Sequence, residues 1–191
     1  MRVKVLTDKE YQFLVAALPK HSPRDELIIR LMLQCGLRSA ETATVTVGQV
    51  WRGGSVNPGL YIPGSVSKGH VGRVVDIPEV VQDTISKYIR WMITKDLPTE
   101  PAGRLFYAHK TRGPLQPRDI QRIVNWVGNW RLERHIHPHM LRHTYATRLL
   151  KFTNIRVVQQ LLGHKSLATT QIYLHPTSED CSGAVNKAFT A

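Results

Sequence analysis

Tyr11, Leu14 and Leu18 recur at helical spacing behind Thr7-Asp8-Lys9-Glu10. A threonine followed three residues later by glutamate has the form of a capping box, so the pattern predicts a helix over residues 7–18. Pro19 and Pro23 interrupt it, and a second helix is expected over 24–35 with Leu27, Ile28, Leu31 and Met32 turned inward. Gly36 then stands where a left-handed helix C-cap belongs. Ser39 is expected to cap a short helix that carries Glu41 in its first turn. From residue 49 to 78 the texture becomes that of strands. Val50-Trp51, Leu60-Tyr61-Ile62 and Arg73-Val74-Val75-Asp76-Ile77 are short apolar runs set apart by Gly53-Gly54, Asn57-Pro58-Gly59 and Lys68-Gly69. They predict a small antiparallel sheet. Pro78-Glu79 opens a long helix to about residue 92, Leu105-Phe106-Tyr107 is a brief extended piece, and Pro117 opens a helix to about residue 130. Short helices follow from residue 138. The fold class read from this pattern is mainly α with one small antiparallel β-sheet (α+β).

At 191 residues, with 42% hydrophobic positions, the chain is long enough to bury a substantial core. Charge changes the picture more. Twenty-six Lys and Arg against fourteen Asp and Glu leave a formal charge of +12, which attracts polyanions and favours a nucleic-acid partner. Cys35 and Cys181 lie far apart and make neither a disulfide framework nor a paired-cysteine metal site. Met1-Arg2-Val3-Lys4-Val5 runs straight into polar residues, and no window approaches twenty apolar residues. A cytoplasmic or nucleoid-associated protein, with no membrane contact, is expected.

The chemistry-bearing residues cluster late. His135-Ile136-His137-Pro138-His139-Met140-Leu141-Arg142-His143 invites a zinc reading, but zinc needs three or four convergent ligands, and His139 and His143 have no carboxylate or cysteine nearby in sequence. On a helix opened by Pro138, Leu141, Tyr145 and Leu149 form a buried stripe, and His139 and Arg142, three apart, share another face. An imidazole beside a guanidinium suits a phosphoryl oxygen, since one moves protons near neutrality and the other binds two oxygens. A solvated arginine beside a capping histidine fits this stretch as well. Two further segments shift the balance. Leu161-Leu162-Gly163-His164-Lys165-Ser166 ends a helix on a glycine and presents a histidine, with Tyr173 nine residues on. Upstream, Cys35-Gly36-Leu37-Arg38-Ser39-Ala40-Glu41 places an arginine just after a helix stop, three residues before a carboxylate.

Together these segments resemble the catalytic domain of the tyrosine recombinase (phage integrase) family over roughly residues 7–176. That family has arginine in a Gly-Leu-Arg-x-x-Glu context, a lysine in a β-turn, a His-x-x-Arg pair, Leu-Gly-His, and a nucleophilic tyrosine. The matching residues here are Arg38, Lys68, His139, Arg142, His164 and Tyr173. Ser67-Lys68-Gly69-His70-Val71-Gly72-Arg73 keeps the turn lysine and the strand-opening arginine but lacks the middle basic residue; Lys68 is the only lysine between Lys20 and Lys87.

The resemblance implies an enzyme acting on double-stranded DNA. Arg38 and Arg142 would neutralise the nonbridging oxygens, and Tyr173 would attack the phosphorus to give a 3′-phosphotyrosyl link and a 5′-hydroxyl. His139 would serve as general base or acid, Lys68 would protonate the departing oxygen, and His164 would hydrogen-bond a nonbridging oxygen. Glu41 would orient its neighbours. No metal, ATP or other cofactor is implied, because the guanidinium groups replace cations and the covalent link conserves the bond energy.

Residues 1–176 are expected to form the catalytic domain, and residues 177–191 a tail that docks onto a neighbouring protomer in a tetramer on DNA. The family normally carries a preceding helical DNA-binding domain. The chain is either part of a longer integrase or of the shorter class without that domain, to which fimbrial-switch invertases belong. Trp51, Trp91, Trp126 and Trp130 are expected in packing roles, while His109-Lys110-Thr111-Arg112, Arg118 and Arg122 are expected to track the DNA backbone. Two rival readings share this fold. One is a DNA-binding accessory protein, against which all six filled positions speak; the other is strand cleavage of the type IB topoisomerase kind, without exchange of partners.

Overall fold

The structure is a computed structural model that describes residues 4–20, 22–66, 72–108, 111–163, 166 and 168–173. Helix α1 (Asp8–Ala17) begins with the expected capping box: the Thr7 hydroxyl accepts the Glu10 N–H at 3.2 Å, and the Glu10 carboxylate accepts the Thr7 N–H at 2.7 Å. Ser22 caps α2 (Pro23–Gln34). Leu27, Ile28, Leu31 and Met32 are fully buried, and so are Ile29 and Leu33, because α2 packs against α5, α6 and α7 and has little solvent face. Gly36 ends the turn at φ +68°.

The capping position of α3 (Ser39–Thr44) belongs to Arg38, not to Ser39 as the sequence suggested. The backbone leaves the Gly36 turn extended at Arg38, so the helix starts one residue earlier than the Ser39 cap requires. Glu41 then reaches back and accepts the Arg38 N–H at 2.8 Å.

The expected single sheet divides into two ladders. A one-turn helix α4 (Val47–Val50) takes Val50 out of the strand register, held by Gln49, whose side-chain oxygen accepts the Thr46 N–H at 2.8 Å. Strand β1 (Trp51–Arg52) pairs with β2 (Ser55–Val56), and β3 (Gly59–Ile62) with β4 (Arg73–Asp76), both antiparallel. Alternation along β4 turns Arg73 and Val75 inward and leaves Val74 and Asp76 exposed.

Helix α5 (Glu79–Thr94) buries Val81, Ile85, Tyr88, Ile89 and Met92. Leu105, Phe106 and Tyr107 are buried between isolated bridges, Thr46↔Arg104 and Tyr107↔Pro114. Helix α6 (Pro117–Leu132) runs slightly beyond its expected end, and α7 (Pro138–Leu149), α8 (Ile155–Leu162) and α9 (Ala168–Gln171) complete the described elements. The tryptophans have packing roles: Trp51 and Trp91 are half-buried against the core, and Trp126 and Trp130 stack on each other at 5.2 Å on the exposed side of α6.

Two apolar clusters result. The larger draws on α1, α2, α5, α6 and the start of α7, where Met140 and Leu141 sit; the smaller holds Ala146, Val158, Leu162 and Tyr173. Helix α7 therefore reaches from one to the other. The Leu6 N–H donates to Thr144 Oγ1 at 2.9 Å, which ties the entering chain to the same helix. Among the described residues no helix is long and apolar enough to cross a membrane.

Candidate active site

Glu41 is the hub of the site. Its side chain is fully buried, and three guanidinium groups converge on it. Arg73 donates to it through two parallel bonds, Nη1 to Oε1 and Nη2 to Oε2, both 2.8 Å. Arg38 Nη1 donates to Oε1 at 2.8 Å, and Arg142 Nη1 lies 3.8 Å from Oε2. Burial alone would raise the Glu41 pKa, but the Arg73 hydrogen bonds and charge, with help from Arg38 and Arg142, hold it at about 2. Three positive charges against one negative leave a local surplus of two. A phosphodiester carries one negative charge and gains more as a nucleophile adds, so the surplus matches that transition state.

Each arginine comes from a different element. Arg38 stands at the start of α3 and keeps a partly open side chain, 19% exposed. Arg73 opens β4, and its Nε donates to the Leu161 carbonyl at 3.2 Å, which links the β3–β4 hairpin to the end of α8. Arg142 lies on α7 and is 3% exposed. Its guanidinium donates to the Gly36 carbonyl through Nη1 and to the Leu162 carbonyl through Nη2 at 2.7 Å. Burial and the neighbouring Arg38 charge lower the Arg142 pKa to about 9, opposed by Glu41, and the group remains charged at neutral pH.

Two glycines make these approaches possible. Gly36 needs its positive φ to present its carbonyl, and a Cβ there would meet the Tyr145 ring at 2.5 Å; Gly163, at φ +62°, leaves room for the Arg73 side chain, whose Cδ would stand 2.9 Å from a Cβ.

Helix α7 differs in detail from the expected stripe. Leu141 is buried, but Tyr145 and Leu149 are half-buried, while Met140, Arg142, Thr144 and Ala146 are buried. His139 is exposed and Arg142 is not, so they do not share one face in the expected sense. The helix lies between two clusters and is wetted on only a narrow strip, and Arg142 is drawn inward by carbonyl acceptors. The histidines divide their tasks: His137 Nδ1 accepts the Met140 N–H at 3.3 Å as the α7 cap, and His143 faces Tyr173.

Tyr173 follows α9 and is 7% exposed, packed with Ala146, Val158 and Leu162. Its hydroxyl lies 2.7 Å from His143 Nδ1. Burial raises the phenol pKa, and the charges of Arg142 and Arg38 pull it back. The structure thus brings Arg38, Arg142 and Tyr173 into one electrostatic neighbourhood.

Lys68 and His164 lie outside the described residues, as do the 177–191 tail, His109 and Lys110. Arg118 and Arg122 are exposed on α6, and Arg112 donates to the Lys95 carbonyl at 3.0 Å. Sequence reasoning missed the contact between His143 and Tyr173, and it noted Arg73 only as part of a motif. The four-residue spacing from His139 to His143 was visible, but it pointed toward metal. Nothing in the sequence showed that Tyr173 would return to that helix.

A mainly helical domain with two small antiparallel ladders, arginines gathered on a buried carboxylate and a buried tyrosine define the class. Comparison with known proteins agrees. Residues 4–180 match the phage integrase family. A tyrosine recombinase XerC from Pseudomonas fluorescens is 35% identical over 173 residues, covering 88% of this chain and 54% of that protein. A tyrosine recombinase XerA from Pyrococcus furiosus is 33% identical over 189 residues, covering 97% of this chain and 62% of that protein. The chain therefore spans little more than half the length of these relatives. Among solved structures, XerA recombinase superposes with a TM-score of 0.79 at 24% identity, over 99% of this chain and 66% of that one. The catalytic domain of bacteriophage HP1 integrase superposes at 0.63 and 23% identity, over 100% of this chain and 99% of that one. The chain belongs to the phage integrase family.

Proposed function

We propose that the chain is the catalytic domain of a tyrosine-type site-specific recombinase that cleaves and rejoins double-stranded DNA through a 3′-phosphotyrosyl intermediate. Arg38 and Arg142 bind the nonbridging oxygens of the scissile phosphate, and Tyr173 attacks the phosphorus. A histidine of the α7 segment serves proton transfer, with His139 the candidate that the motif names; Lys68 protonates the leaving 5′ oxygen, and His164 donates to a nonbridging oxygen. Glu41 and Arg73 hold the arginines in place. The observation that carries the reading is the buried cluster of Arg38, Arg73 and Arg142 on Glu41, with the Tyr173 phenol under the influence of two of those charges. A charge of +12 supports a duplex DNA partner. So does a neighbour at TM-score 0.77, XerH site-specific recombinase bound to difH substrate in a pre-cleavage complex. Residues 1–176 form the catalytic unit in this reading, residues 177–191 dock onto a neighbouring protomer in a tetramer on DNA, and the protein works in the cytoplasm on the nucleoid.

The test is covalent trapping. Duplexes retained by the chain are selected from a random-sequence pool, nicked to make suicide substrates, and incubated with it. An SDS-stable protein–DNA adduct is expected from the wild-type chain and none from Tyr173→Phe. Equal absence of adduct in both sinks the catalytic reading and favours a DNA-binding accessory role. Adduct with relaxation of supercoils but no exchange between duplexes favours the topoisomerase reading.

A further inference from the structure

We propose that His143 is the group that takes the phenol proton of Tyr173 during strand cleavage, an inference that rests on the recombinase reading above.

The contact is direct. His143 Nδ1 and Tyr173 Oη are 2.7 Å apart, and the two rings meet at 5.4 Å between centroids with a 55° tilt. This distance lies within the hydrogen-bond reach that proton transfer requires. The imidazole is held on α7 one residue after Arg142, whose guanidinium is anchored on the Gly36 and Leu162 carbonyls. Base and phosphate-binding group therefore move as one rigid piece. In this assignment His143 takes the phenol proton, and His139 bears on the pair through the field it sets at His143.

The groups around the pair set the protonation state of the imidazole before DNA binds. On α7, His139 stands with its ring centroid 6.1 Å from that of His143, and Arg142 adds a positive charge; His137 acts from the helix cap. Facing them, Tyr173 feels Arg142 and also Arg38 from the start of α3. Burial, then His139, His137 and Arg142, lower the His143 pKa to about 4, so the ring is neutral at physiological pH and can accept. Arrival of a phosphodiester on Arg142 and Arg38 cancels part of the positive field that holds His143 down. Proton acceptance then becomes easier at the moment the nucleophile is needed.

Each bond of the proposed reaction is accounted for. The Oη–H bond breaks and its proton passes to His143 Nδ1, while the oxygen's electron pair forms the Oη–P bond. The P–O5′ bond breaks with its pair on the 5′ oxygen, which takes a proton from Lys68. Rejoining reverses each step: the 5′-hydroxyl attacks, and His143 returns the proton to Tyr173.

Two duplexes test the assignment, the nicked suicide substrate selected above and a copy with sulfur in place of the bridging 5′ oxygen. A thiolate leaves without protonation, so sulfur relieves defects on the leaving-group side alone. His143→Ala and His143→Gln are expected to slow adduct formation by about 10²–10⁴-fold on both duplexes, with DNA retention unchanged. Lys68→Ala is expected to recover on sulfur. Glutamine accepts a hydrogen bond but not a proton, so a wild-type rate in His143→Gln overturns the proposal, as does recovery of His143→Ala on sulfur. No adduct from the wild-type chain on either duplex overturns the recombinase reading itself. A DNA-free measurement covers variants that fold poorly. The ¹⁵N spectrum of His143 in the intact chain should show an unprotonated Nδ1 at neutral pH that shifts in Tyr173→Phe. A proton on Nδ1 there overturns the assignment.

Discussion

Around α2, Leu27, Ile28, Leu31 and Met32 are buried among side chains of α5, α6 and α7, whereas Tyr173 packs, among the described residues, in a smaller apolar cluster with Ala146, Val158 and Leu162, flanked by Tyr145, Leu149 and Leu150. The first region is held by area removed from water. The second has too little apolar surface for that and relies on polar ties: Arg73 to the Leu161 carbonyl, Arg142 to the Leu162 carbonyl, His143 to the phenol. Such bonds are directional and lost at once when their geometry fails, so the segment bearing Tyr173 is expected to be released more easily than the α2 core. Arg142, which binds a phosphate oxygen in the proposed reaction, is also one of the groups that tie the end of α8 to the core. Binding and positioning are thereby coupled.

The comparison can be broken first at Arg142. Arg142→Ala is expected to reduce adduct formation by about 10³-fold or more, as for loss of a main transition-state donor. Nonspecific DNA affinity should fall only modestly, because it rests on the charge of the whole surface. Filter binding that shows complete loss of affinity contradicts this. Arg73→Met removes the bidentate partner of a fully buried carboxylate, which costs about 3–5 kcal/mol. For a chain of this size that is a drop in Tm on the order of 10 °C by circular dichroism. Glu41→Gln in the same chain should restore most of it, and a double variant no more stable than Arg73→Met argues against the hub.

Leu27→Ala and Leu162→Ala sharpen the contrast. Each is expected to cost about 2–5 kcal/mol at its own site. Hydrogen exchange should show Leu27→Ala weakening protection throughout the larger core, and Leu162→Ala weakening α8 while α2 stays protected. Uniform loss in both would mean that the two clusters unfold as one.

The gentlest perturbation is acid. His143 has a folded pKa of about 4, below its unfolded value of about 6.5, so the unfolded chain binds the proton first. Stability is then fully present above about pH 6.5 and declines as pH falls toward 4, by up to about 1.4 kcal/mol per pH unit. Glu41, at about 2, adds a second decline as pH drops below its unfolded value of about 4.3. Urea unfolding across this range should lose the lower decline in Glu41→Gln and the upper one in His143→Gln.

Much of the fold was legible because its signals are local. The Thr7–Glu10 box, the proline at the start of α6 and the inward face of α2 depend on residues a few positions apart, and each stands where the pattern placed it. Misreadings occurred where side-chain caps three residues apart went unread in the apolar pattern, and where a distant partner overrode helix periodicity. Val50 joined a helical turn capped by Gln49, Arg38 displaced Ser39 from the cap, and Arg142 turned inward where helix periodicity had set it beside an exposed His139.

The order of residue types along the chain determined the family and named Arg38, Arg142 and Tyr173 as candidates. It did so because spacing within a motif survives as sequence. What the tertiary structure alone decided is which groups share one buried site: Arg73 and Glu41 across 32 positions, Arg142 and Gly36 across 106, His143 and Tyr173 across 30. The physical reason is that a buried charge or phenol must find its partner wherever the packed chain brings one. That requirement leaves no periodic trace, so the environment of Tyr173, unlike its identity, appears only in three dimensions.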